Sequence, residues 1–202
     1  NAVSGDGTWV TVYWSLDGEP FAEPPGVCIQ LLDSEAIKWS EGCVPLTIAR
    51  DQHPRTDTYL AQQMWLPLPD GLAPVTYVAQ VMLGDATTTI SEGVSIDRPE
   101  APQSSNALVA YENGLVLDRI GWVTEDVHAG QWVLGHLVWR TEQALGDDLT
   151  VSIRAVDGWG RPIAEHTMPL GTADYPPSMW QPGELVRSQL ALELPFRVDG
   201  WS

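Results

Sequence analysis

The chain is poor in positive charge. Ten basic residues stand against 27 acidic ones, a net charge of −17, and Lys38 is the one lysine. Such a surface repels phosphate backbones and anionic lipid headgroups, which argues against nucleic acid and the membrane surface as partners. Long apolar runs are also missing. Nothing approaches the roughly 18 consecutive apolar residues of a membrane span, and nothing resembles a signal peptide. Asn1-Ala2 reads as the remnant of a cleaved tag, so the chain reads as an excised soluble piece. His53, His128, His136 and His166 are scattered without i,i+4 spacing, and the two cysteines have no histidine near them at ligand spacing. No metal and no cofactor is therefore expected. Gly-x-Ser-x-Gly and the glycine-rich phosphate-binding segments are absent as well, so no catalytic residue is assigned.

What is present is a repetition. Tyr13-Trp14 ends one apolar run and Val138-Trp139 another. Val27-x-Ile29-x-Leu31-x-Asp33 reappears as Val151-x-Ile153-x-Ala155-x-Asp157, Pro45-Leu46 as Pro169-Leu170, and Leu68-Pro69 as Leu194-Pro195. The offsets are 125 (14 to 139), 124 (27 to 151 and 45 to 169) and 126 (69 to 195). A spacing kept over four landmarks predicts two copies of one module.

Alternation runs through both copies. Thr8–Leu16, Val27–Leu32, Ile37–Val44, Tyr59–Leu66 and Val75–Leu83 read as strands in the first. Leu115–Val123, Gln131–Arg140, Leu149–Asp157, Arg161–Met168 and Leu185–Leu194 do so in the second. Sixteen prolines and eighteen glycines leave little room for a long helix. Short strands with turn residues every 8–12 positions, roughly, predict an all-β chain of two tandem immunoglobulin-like β-sandwich domains. The first spans residues 1–97 and the second 107–202, joined by the two-proline linker 98–106. Thr87–Ile96 is either the last strand of the first module or a lead-in to the second. Val75–Leu83 has no partner in the second copy, where Tyr77 aligns with Trp201, so the second module is expected to lack its last strand. The open edge invites another chain, as in a homodimer.

Cys28 and Cys43 lie in neighbouring extended runs, and a hairpin would bring their sulfurs together. The spacing predicts a disulfide, with two buried thiols as the alternative; a bridge would imply an oxidising compartment. The second copy has Ser152 and Met168 at the corresponding places, so the bridge is an addition to the fold.

Trp159, Tyr175 and Trp180 lie in or beside turns and are the candidate ligand-binding residues, because exposed aromatics stack on sugar rings. Trp159, between two glycines, is the first expected to be exposed, whereas Trp180 also fits the role of a loop anchor. Trp14, Trp65, Trp132 and Trp139 fall in alternating runs and are expected in the core or on a sheet face, without a recognition role.

The second copy also carries a longer pattern. Asp157-x-x-Gly160-Arg161-Pro162-Ile163-Ala164-Glu165-His166 precedes Pro169, then Tyr175-Pro176-x-Ser178-x-Trp180-x-Pro182-Gly183-Glu184, then Leu194-Pro195. Over residues 108–202 this resembles the extracytoplasmic β-domains appended to bacterial multi-pass membrane proteins of the lipid-linked-sugar glycosyltransferase type. Those domains usually continue with Pro-Gly-x-Tyr and a final strand, where this chain has Asp199-Gly200-Trp201. The resemblance implies a periplasmic or cell-surface location within a membrane-anchored parent protein, and carries no catalytic residue over. The expected function is a non-enzymatic accessory module contacting a glycan or a protein. Two alternatives stay open: a carbohydrate-active hydrolase with a carboxylate pair between the modules, and a homotypic assembly module pairing through its open edge.

Overall fold

The computed structural model describes residues 2–14, 25–46, 60–84, 86–89, 93–97 and 107–196. It is all-β apart from one short 3-10 turn at Pro177–Met179. Among the described residues no helix is long and apolar enough to cross a membrane. The chain divides into two compact units, Asn1–Asp97 and Arg98–Ser202. The expected linker, residues 98–106, lies outside the described residues.

In the first unit, β1 (Ala2–Val3), β2 (Gly7–Trp14), β3 (Gly26–Leu32), β4 (Lys38–Pro45), β5 (Leu60–Pro67), β6 (Thr76–Leu83), β7 (Ala86–Thr89) and β8 (Val94–Asp97) form two sheets. One has the order β1-β8-β6-β3-β4 with β7 also on β6, and the other is the antiparallel pair β2-β5. The stretch 87–96 therefore holds β7 and β8 and belongs to the first unit. Alternation explains the packing, since every second side chain of a strand faces one side. Val27, Ile29 and Leu31 of β3, Tyr77 and Ala79 of β6, and Met64 and Leu66 of β5 are buried together in one core. Val10 and Val12 of β2 pack against it.

In the second unit, β9 (Val109–Ala110), β10 (Leu115–Trp122), β11 (Trp132–Thr141) and β14 (Leu185–Glu193) form a sheet of order β14-β11-β10-β9. β12 (Thr150–Val156) and β13 (Pro162–Pro169) form a separate hairpin. Among the described residues β12 pairs with β13 alone, whereas β3 lies between β4 and β6. Val151, Ile153 and Ala155 are accordingly only half-buried, while Val27, Ile29 and Leu31 are fully buried.

The repetition extends to individual hydrogen bonds. The Asp33 N–H donates to the Ile37 carbonyl and the Ala36 N–H to the Asp33 carbonyl; Asp157, Arg161 and Gly160 do the same 124 residues on. Leu46 N–H donates to Pro25, as Leu170 N–H does to Leu149. Each turn needs one residue in the left-handed region, supplied by Gly160 (φ 79°) in one copy and by Ala36 (φ 61°) in the other. Equal turn lengths keep the two hairpins in one register.

That register settles the cysteines. Cys28 stands directly opposite Cys43, and the two are joined by a disulfide. Their counterparts are Ser152 and Thr167, not Ser152 and Met168. Met168 faces Val151, because the offset of 124 is kept through the turn and carries Cys43 to position 167.

Candidate functional site

Trp159 stands at the tip of the β12–β13 hairpin, and local chemistry holds it there. The Asp157 carboxylate caps the turn, Oδ1 accepting the backbone N–H groups of Trp159 and Arg161, each at 2.9 Å. Oδ2 accepts from Arg161 Nε at 2.7 Å. The Arg161 guanidinium lies 5.0 Å from the centre of the Trp159 ring and covers one face of it. With 76% of its surface exposed, the indole offers its other face to water.

The same carboxylate makes the turn acid-resistant. Desolvation pushes the Asp157 pKa up, but the backbone N–H and guanidinium of Arg161 and the N–H of Trp159 outweigh it and hold it below the ordinary aspartate value. A carboxyl whose folded pKa is depressed adds stability above its unfolded pKa, about 3.9, and loses it only as pH falls through the lower folded value. The Arg161 amide is therefore expected to keep its hydrogen-exchange protection from neutral pH to about pH 4 and to lose it below the ordinary aspartate range. Loss of protection near pH 5 would contradict this account of the turn.

Tyr175 and Trp180 do not join Trp159. Both are buried, at 3% and 2% exposure. Tyr175 Oη donates to Glu184 Oε2 at 2.7 Å, the Gln181 N–H donates to the same oxygen at 2.9 Å, and Trp180 Nε1 donates to the Tyr175 carbonyl at 3.1 Å. Gly171 lets the chain close on them, since a Cβ there would lie 2.6 Å from the Tyr175 carbonyl oxygen. These two rings brace the loop from inside and present no face to a ligand.

A further aromatic surface lies in the first unit, at residues without an expected role. In the β2–β5 pair, Trp9 stands directly opposite Trp65, Thr11 opposite Gln63, and Tyr13 opposite Ala61. All six are on the side of the sheet away from Met64 and Leu66, which fill the core. Trp9 is 67% exposed, Tyr13 70% and Trp65 44%. The two indoles meet edge to face at 5.4 Å. Gly7 makes room for Trp65: a Cβ there would fall 2.1 Å from the indole, so only glycine lets the ring lie across the strand. The face that results is an aromatic platform with Thr11 and Gln63 as polar neighbours.

Of the other tryptophans in alternating runs, Trp139 is buried and Trp132 exposed, while the side chain of Trp14 lies outside the described residues. The alternation was a usable signal for Trp9 and Tyr13. Val10 and Val12 claim the core side of β2, which leaves the aromatics facing water.

Two other carboxylates are held by neighbouring side chains. Glu41 is held below the usual carboxylate range by hydrogen bonds from Lys38 and Gln30, and Glu165 by those from Ser152 and Arg154. Cys28, Glu41 and Cys43 lie close together, but the sulfurs are bonded to each other and are not thiolate ligands. No protein-family model matches the chain, and no curated protein or solved structure matches it either.

Proposed function

We propose that this chain is a non-enzymatic, extracytoplasmic accessory module of a membrane or surface protein, made of two immunoglobulin-like sandwiches, that contacts saccharides through exposed aromatic rings. The observation that carries it is the Trp9–Tyr13–Trp65 face. Exposed apolar patches rimmed by polar residues mark interaction sites, and flat indoles suit the apolar faces of sugar rings.

Strand order supports the immunoglobulin-like reading. β4-β3-β6-β8 with β1 added in parallel is the order of one immunoglobulin sheet, and β2-β5 the core of the other. In the second unit the counterparts of β6 and β8 are missing among the described residues. The Cys28–Cys43 bridge favours an oxidising compartment.

Titration with a panel of soluble oligosaccharides, followed by tryptophan fluorescence and calorimetry, tests the reading. At least one glycan should bind, and Trp9→Ala or Trp65→Ala should weaken it about 10-fold, or about 1.4 kcal/mol. Loss of binding in Trp159→Ala alone would move the site to the hairpin tip, and silence across the panel would remove the saccharide reading. Among the described residues β12 pairs with β13 alone, and that edge favours a second reading, homotypic assembly. A stable dimer in light scattering, dispersed by a proline within Thr150–Val156, would support it.

A further inference from the structure

The seam between the two sheets is shut in the first unit. Gly42 of β4 meets β5 so closely that a Cβ would lie 2.4 Å from the Trp65 carbonyl oxygen. Ser40 Oγ donates to the Pro67 carbonyl and ties the strands together. At the repeat offset of 124, His166 replaces Gly42 and Ala164 replaces Ser40. The register confirms the equivalence, since Ile29 faces Gly42 as Ile153 faces His166, and Leu31 faces Ser40 as Ala155 faces Ala164. A gap that excludes a methyl group excludes an imidazole, and alanine has no hydroxyl to bridge the strands. The second unit has a groove of about 380 Å³ along this seam, between Ile163–His166 and Leu192–Phe196.

We propose that this groove is a binding site for an organic cation of the methylated-ammonium class. Two aromatic rings line it, Trp132 and Phe196, and both are exposed, Phe196 to 82%. Gly7 and Asp70 occupy their places in the sealed copy, at offsets of 125 and 126. Phe196 is held in position. The Gly130 N–H donates to the Pro195 carbonyl at 3.2 Å and the Leu194 N–H to Gln131 at 2.9 Å. Gly130 (φ +78°) passes directly beneath the ring, where a Cβ would lie 2.4 Å from it.

The charge selects the ligand. Glu165 and Glu193 are the carboxylates in the lining. The Ser152 hydroxyl and Arg154 keep Glu165 ionised, and Glu193 has no ion pair among the described residues. Aromatic faces beside carboxylates attract a diffuse positive charge, because the ring quadrupole and the carboxylates act in the same sense. The net charge of −17 draws cations in and turns anions away.

Choline chloride is the probe, and its neutral isostere 3,3-dimethylbutan-1-ol the control. Choline should shift the Trp132 indole N–H and Phe196 ring resonances saturably. Trp132→Ala should weaken binding about 10-fold and Glu193→Gln about 3-fold, within the range of cation–π and exposed ion-pair contributions. The pair Ala164→Ser and His166→Gly, which restores the residues of the sealed seam, should abolish it. Trp9→Ala should leave it unchanged, which separates this site from the saccharide face. Equal affinity for the neutral isostere, no shift at saturating choline, or full binding by a folded Trp132→Ala variant would each overturn the proposal.

Discussion

Replacing Asp33 by alanine is expected to lower the stability of the first unit by about 3 kcal/mol. The carboxylate is buried and serves three donors. Oδ1 accepts the Glu35 and Ile37 N–H groups at 3.0 and 2.9 Å, and Oδ2 accepts Trp39 Nε1 at 2.8 Å. Glu35 and Ile37 are exposed, so water can replace the acceptor for their amides. The Trp39 indole is in the core, against Tyr77, and its N–H would be left without a partner. An orphaned buried donor costs about 1–3 kcal/mol, and loss of the turn cap adds to it. Urea denaturation followed by hydrogen exchange at β3 and β4 amides measures the effect. In the alanine background, Trp39→Phe should recover part of the loss, because it removes the donor. A destabilisation below about 1 kcal/mol would show that water reaches the indole. Asp157→Ala should be milder, since the side chain that replaces Trp39 as donor there is the exposed guanidinium of Arg161.

The double variant Cys28→Ser, Cys43→Ser is expected to cost the first unit a further amount of about 3 kcal/mol. The bridge spans 15 residues and joins the two strands at the middle of the hairpin. Breaking it returns loop entropy to the unfolded chain, while the hairpin keeps its ladder and its cap. The fold should therefore survive, with a lower melting temperature and earlier exchange of β3 and β4 amides. Reductant should reproduce the effect in the unmodified protein. The second unit, with Ser152 opposite Thr167, is built on the same hairpin without a bridge. A variant that fails to fold at all would show that the bridge is required and is not an addition.

Much of this was legible in the chain. Ten strands appear where alternation and turn residues place them, because a half-buried strand leaves a period of two in its side chains. The repeat was legible because Asp33 and Asp157 build the same turn from the same carboxylate contacts, and a turn is a local event. Two extended runs joined by a short turn made the cystine one of two readings, and the strand register, with Cys28 opposite Cys43, decided for it. The roles of Tyr175 and Trp180 were harder to read. A loop aromatic looks the same in sequence whether it faces water or braces the loop, and the decision came from Gly171 and Glu184, residues on either side in the chain that fold back onto the rings.

The sequence alone determined what depends on neighbours along the chain: all-β structure and the strands bounded by turn residues. The tertiary structure decided what depends on distances between strands far apart in sequence. It set Trp9 and Trp65 side by side on an open face, and it left the β13–β14 seam open where β4 and β5 close. Side-chain period reports only that a residue alternates. Whether a ring meets solvent or a neighbour is set by the approach of another strand, and at this seam that approach turns on glycine in one copy and histidine in the other.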